Sequence, residues 1–256
     1  MGPVTPSRLR WGALAWLATL QFFVVETVVQ FRGQGHSRLD DVISDLGETT
    51  WPGHQAMNAS FVVQAALILG GTLLLLQALR SGAGRAAAYL LGAAAIGTLM
   101  VGVFPSDRSD TWHAVGAVLY LVGGALGLIC LAYALRPRSE VLGTVLVLLG
   151  LVGAAATTFF IAEVDVLARG ATERAAAYVL PIGLALTGMA LWRARTTDPA
   201  EIEGAKRQRA ERARERDEAL EAAARRAENR TSATGVAGSD PADDAEDHWA
   251  PARRTD

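Results

Sequence analysis

The sequence predicts an all-α membrane protein: a six-transmembrane-helix bundle with both termini cytoplasmic, then a charged helix and a disordered tail. Three observations predict it. Six mostly apolar runs of about 20 residues, the length that crosses a ~30 Å hydrocarbon core, recur between residues 11 and 192. Charge is segregated, with 28 of the 50 charged residues in positions 193–256. The arginines flanking the runs favour one side, as the positive-inside rule requires.

The first run, residues 11–31, follows Arg8 and Arg10. A cleaved leader is not expected, because the apolar core continues to Phe31, contains Glu26, and is not followed by a small-x-small site. The further runs are 56–79, 86–104, 113–135, 141–162 and 175–192. Gly70-Gly71, Gly123-Gly124-Ala125 and the small residues of 150–156 predict close helix packing. Gln21, Thr157 and Thr158 predict hydrogen bonds between helices. No broken helix or inverted repeat is evident.

With residues 1–10 inside, eight arginines flank the inner ends and five lie in the outer loops. The outer loops also collect acids, among them Asp40, Asp41, Asp45, Glu48, Asp107, Asp110, Glu163, Asp165 and Glu173. Trp11 and Trp192 mark one interface, Trp51 and Trp112 the other. The expected location is therefore the plasma membrane, multi-pass. Membrane lipids are the expected partners, and a net charge of −2 argues against nucleic acid. The single cysteine, Cys130, excludes a disulfide framework.

From residue 196 to 230 the composition turns to Ala, Glu and Arg, all strong helix formers, with Glu203/Arg207 and Glu221/Arg225 at i,i+4. A solvated cytoplasmic helix is expected. Its arginines also offer a contact for anionic lipid or a cytoplasmic protein. Residues 231–256 lack the apolar content to fold and are expected to be disordered.

The outer ends of the spans hold the candidate site residues. Glu26 lies about five residues, or ~8 Å, inside its span, and an intramembrane carboxylate normally faces the interior with a partner. Asn58, Gln64, His113 and Arg174 are the expected partners. Asp45 suits a cap for a short helical turn, Asp107 a turn, and Asp110 a cap for the fourth span. His113 suits a buried histidine bonded to a carboxylate. His36, His54 and His113, two or three of them with Asp45 or Asp107, are the candidate metal ligands, but they lack HxxxH or HExxH spacing, so no metal site is expected from the motifs. Phosphate-loop, dinucleotide and nucleophile-elbow motifs are absent, so no cofactor is expected either.

Taken in order, VISDLG (42–47), MNASFVV (57–63), VGVFPSD (101–107), HAVGAVL (113–119) and RGATERAAAYVLP (169–181) resemble a bacterial membrane family, domain of unknown function 998. The resemblance covers about residues 10–195. That family is similar in turn to the eukaryotic Frag/DRAM/Sfk group, which is linked to lipid handling. The resemblance implies six spans and a membrane location, and carries the family pattern onto Ser44, Asp45, Asn58, Asp107, His113, Glu173 and Arg174. Asp41 departs from the family's usual Asn.

The leading expectation is a protein that binds a lipid or small amphiphile in an outward-facing polar pocket. Glu26, Ser44, Asp45, Asn58, Asp107, His113, Glu173 and Arg174 would line it. The alternatives are an intramembrane lipid hydrolase, metal-assisted or not, using His113 with Asp45 or Asp107, and a small proton-coupled transporter using Glu26.

Overall fold

Apolar segments in lipid fold as helices because no solvent is present to satisfy backbone N–H and C=O groups. The computed structural model describes residues 5–164, 167–196 and 199–235. The helices in order are α1 (Pro6–Ala18), α2 (Gln21–Gln30), α3 (His54–Leu75), α4 (Gly82–Val103), α5 (Asp110–Leu135), α6 (Glu140–Ile161), α7 (Arg169–Ala177), α8 (Val179–Thr196) and α9 (Pro199–Gly235). A 3-10 turn, Ile43–Gly47, lies between α2 and α3, and no strand occurs among the described residues. Six stretches are long and apolar enough to span: Pro6–Gln30, His54–Leu75, Gly82–Val103, Asp110–Leu135, Glu140–Ile161 and Arg169–Arg193. The protein is a multi-pass membrane protein.

The first and last of these stretches are each broken in two, which corrects the expectation of unbroken helices. In the first, Thr19 Oγ1 donates to the carbonyl of Trp16 at 2.6 Å. The backbone N–H groups of Thr19 and Leu20 reach back only three residues, to Trp16 and Leu17. Threonine bonding to its own helix in this way bends helices. In the last, Pro181 has no N–H for the carbonyl of Ala177. Tyr120 of α5 donates its hydroxyl to that carbonyl instead, at 3.0 Å. The two breaks meet, with Thr19 Oγ1 standing 3.3 Å from the carbonyl oxygen of Pro181. Tyr120→Phe leaves the Ala177 carbonyl unpaired. The expected loss is about 1–3 kcal/mol of stability, read by thermal unfolding in detergent.

Helices α3 to α6 pack as sequential neighbours through short turns, while α1 lies against α3 and α8. Two buried clusters fill the bundle. One surrounds Trp16, Leu91, Leu128 and Leu184, and the other Phe22, Leu46, Met57 and Phe61. At the crossing of α4 and α5 the backbones touch. A Cβ on Gly97 would stand 2.5 Å from the carbonyl oxygen of Gly116, and one on Gly116 would stand 2.8 Å from that of Gly97. Among the glycines expected to pack, Gly71 receives the Trp16 ring, Gly123 and Gly150 approach neighbouring backbone, and Gly70 faces open space.

Gln21 bonds across to α3 as expected, through the Ser60 carbonyl and the Gln64 side chain, both at 3.3 Å. The two threonines do not follow it. Thr158 donates to Ala154 within its own helix at 2.9 Å, and the buried Thr157 hydroxyl has no hydrogen-bond partner among the described residues. Thr158 lies one turn beyond Ala154, so the carbonyl in its own helix is the nearer acceptor.

Residues 197–256 form a separate unit. Within it α9 is a single helix whose described side chains are exposed almost throughout 207–226, so no apolar seam forms. The Glu221–Arg225 pair forms at 3.5 Å, and the Glu203 side chain lies outside the described residues. The helix runs on to Gly235, past the expected end at 230. The remainder of the tail expected to be disordered, 236–256, lies outside the described residues, as does Asp165.

Candidate functional site

Glu26 sits on α2 with no exposed surface. Its carboxylate accepts from Arg174 Nε at 3.0 Å and from the Tyr178 hydroxyl at 2.7 Å. Arg38 Nη2 stands 3.4 Å away and also donates to the Tyr178 oxygen at 2.7 Å. Arg174 is surrounded by five acceptors. Its Nη1 donates to the carbonyls of Arg38, Asp41 and Gly170 at 2.8, 2.7 and 3.1 Å. Its Nη2 faces His36 Nε2 at 3.2 Å. Arginine only donates, so His36 Nε2 accepts, which leaves the proton on Nδ1, 3.9 Å from Asp41. The His36 ring packs edge-on against Trp51, which donates to the Val29 carbonyl at 3.2 Å. One guanidinium thus ties the loop after α2 to both α2 and α7. The sequence reading identified Arg174 as a partner of Glu26 but missed Arg38, Tyr178 and His36.

The other expected partners of Glu26 are engaged elsewhere. Asn58 Nδ2 donates to the Gly47 carbonyl at 2.8 Å, Gln64 meets Gln21, and His113 Nδ1 bonds the Phe104 carbonyl at 2.9 Å. His113 is thus bonded to a carbonyl, not to a carboxylate, because the chain leaving α4 passes over the start of α5. Asp45 accepts from the Val42 N–H at 3.2 Å and caps the 3-10 turn, as expected. Glu173 accepts from the Ile43 N–H and holds the other side of that turn. Asp107 accepts from both the backbone and the hydroxyl of Thr49 at the surface. Asp110 lies inside the first turn of α5, whose cap residue Ser109 makes no capping bond.

The eight candidate residues therefore share one end of the bundle without converging on one pocket. Ser44, His113 and Glu173 line a small cavity of about 40 Å³. No described hydrogen bond or ion pair joins His113 to Asp45 or Asp107. Among the described residues no three His, Cys, Asp or Glu side chains gather as a metal set. His54 bonds the Trp51 carbonyl at 3.0 Å.

A much larger cavity, about 790 Å³, opens at the opposite end, where α1 begins. Leu9, Trp16, Leu75, Leu131, Leu135 and Leu191 are the large apolar residues of a mostly apolar wall that also includes Leu79. Trp16 lies ten residues into the wall from Pro6, so the cavity reaches about 15 Å along α1 and stops just below the meeting breaks. Arg80 and Arg138 stand at its mouth, in the α3–α4 and α5–α6 turns. Periodicity gave no signal for it, since the same leucines would read identically in a filled core.

Six spans, a cap tied by Glu26 and Arg174, and the spacing of the turn motifs together define the matched region. A model of the family described as "protein of unknown function (DUF998)" matches residues 16–192. This chain belongs to the DUF998 family. No curated protein and no solved structure matches it. The DUF998 match includes Glu26, the 3-10 turn, Arg174 and Tyr178, and it ends before α9.

Three titratable groups in the loops of this DUF998 protein carry displaced pKa values. Burial, with the Arg174 guanidinium, pushes His36 below its ordinary 6.5. Burial pushes Asp45 above 3.8, and the Thr49 hydroxyl holds Asp107 below it. For His36 the unfolded chain takes up a proton near pH 6.5 that the folded chain refuses, so stability falls as pH drops below 6.5. Asp107 also loses stability on acidification, but at lower pH, as its depressed value is crossed. Asp45 has the opposite sign, and its contribution is present below pH 3.8 and lost as pH rises through its raised value. The melting temperature in detergent is therefore expected to fall as pH drops from 7 through 6.5, a slope set by His36. His36→Phe keeps the ring beside Trp51 and flattens that slope.

Proposed function

We propose that this DUF998 protein binds a lipid or small amphiphile in the cavity at the α1-start end of the bundle. The cavity itself carries this reading. About 790 Å³ falls within the ~300–1,000 Å³ of ordinary ligand pockets, and the wall is mostly apolar, with leucine its commonest residue. The outward-facing polar pocket expected from the sequence offers about 40 Å³, room for a water molecule and not for a chain. In this reading the outer residues close the bundle, while ligand enters at the other end. The arginine distribution supports placing both termini, and so the cavity mouth, on the cytoplasmic side of a plasma membrane.

Delipidated protein titrated with monooleoylglycerol and followed by native mass spectrometry tests it. One adduct per chain is expected. Ala78→Leu with Ala134→Phe, both on the cavity wall, abolishes the adduct. No adduct, or an adduct unchanged in the filled variant, overturns the reading.

One observation favours a second reading, the proton-coupled transporter. Broken helices that meet inside the bundle are a transporter feature, and Glu26 lies on the outer piece of one of them. Vesicles carrying the protein would then dissipate an imposed pH gradient faster than empty ones. Equal rates would exclude it.

A further inference from the structure

The mouth of the large cavity differs in charge from its wall. Arg80 and Arg138 line it, together with Ser81 and Gln77, and no Asp or Glu is among the lining residues. The neighbouring Arg136 is offset by Glu140 at 3.7 Å. The Arg138 guanidinium, by contrast, has no side-chain partner among the described residues. An apolar pocket that closes at Trp16 and opens between two guanidinium groups is complementary to a molecule with one apolar tail and one anionic head. Guanidinium matches the planar oxygens of carboxylate and phosphate in a way that a neutral or zwitterionic head cannot use fully.

We propose that the amphiphile is anionic, with a phosphate or carboxylate head held by Arg80 and Arg138 at the mouth and its chain directed toward Trp16. This inference rests on the binding reading above and adds the class of ligand. The head's charge sets preference, and the leucine wall sets the underlying affinity for a chain.

The test compares three probes of one chain length on the delipidated full chain: oleoyl lysophosphatidic acid, oleoyl lysophosphatidylcholine and monooleoylglycerol. The anionic probe is expected to bind about tenfold more tightly than the neutral one. Arg80→Gln with Arg138→Gln is expected to weaken binding of the anionic probe about tenfold, so that its preference over monooleoylglycerol is lost. Equal binding of all three probes, unchanged in the double variant, overturns the anionic assignment and leaves amphiphile binding standing. No binding of any probe overturns both. Inorganic phosphate separates the two sources of the anion. Failure of millimolar phosphate to displace the anionic probe supports a lipid head, whereas displacement assigns the mouth to a free anion and overturns the lipid form.

Discussion

Replacing Arg174 with Gln is expected to destabilise the bundle by about 3 kcal/mol, the low end of the cost of breaking a buried ion pair, because the partly exposed Arg38 at 3.4 Å remains beside Glu26. Arg174 is 6% exposed and Glu26 not at all, so no solvent takes over the lost contact. The guanidinium also satisfies three carbonyls, those of Arg38, Asp41 and Gly170. Arg174→Lys is not expected to rescue, because a single ammonium cannot reach Glu26, His36 and those carbonyls from one fork. Glu26→Gln combined with Arg174→Gln is expected to lose less than the sum of the two single variants. Unfolding in detergent measures all four proteins. Additive losses would show that the pair does not couple.

Gly116→Leu is the second large effect, with an expected loss of at least about 3 kcal/mol. The new side chain would meet the backbone of Gly97 and Val101, which cannot rotate away as a side chain can. Helices α4 and α5 must then separate along the crossing where they now touch. Gly92→Leu is the control, since a Cβ there meets nothing within 4 Å. It is expected to change stability by no more than about 0.5 kcal/mol. Leucine is the better helix former, so propensity cannot produce a loss, and comparable losses in both variants would show that the close crossing does not set the cost.

The spans were legible because a 20-residue apolar run has a single physical outcome in lipid, and hydropathy reports it directly. Glu26 was legible as a residue needing a partner for the same reason. Arg174 was found because it is the cation directly beside the outer boundary of the last span, at the same end as Glu26. Arg38 was not, because it stands in a loop where an arginine reads as an ordinary surface charge. Tyr178 was hidden by its place inside an apolar run, where its ring explained it without its hydroxyl. Pro181, through its missing N–H, carried a signal for the break in the last span that the expectation of an unbroken helix passed over. The break at Thr19 had no such marker, since threonine is tolerated in straight membrane helices as well. The 790 Å³ cavity was beyond reach, because the same leucines would line either a filled or an open space.

The pairing of Glu26 with Arg174 has a consequence for how the chain is made. The two residues lie 148 positions apart, on the first and last spans. At ~5–20 residues per second, Glu26 enters the membrane about 7–30 s before Arg174 leaves the ribosome. Throughout that interval Glu26 can reach Arg38, twelve residues on, but not Arg174 or Tyr178. A chain that stops short of residue 174 therefore lacks the partner that encloses the carboxylate, and the buried pair closes only when the last span is in place.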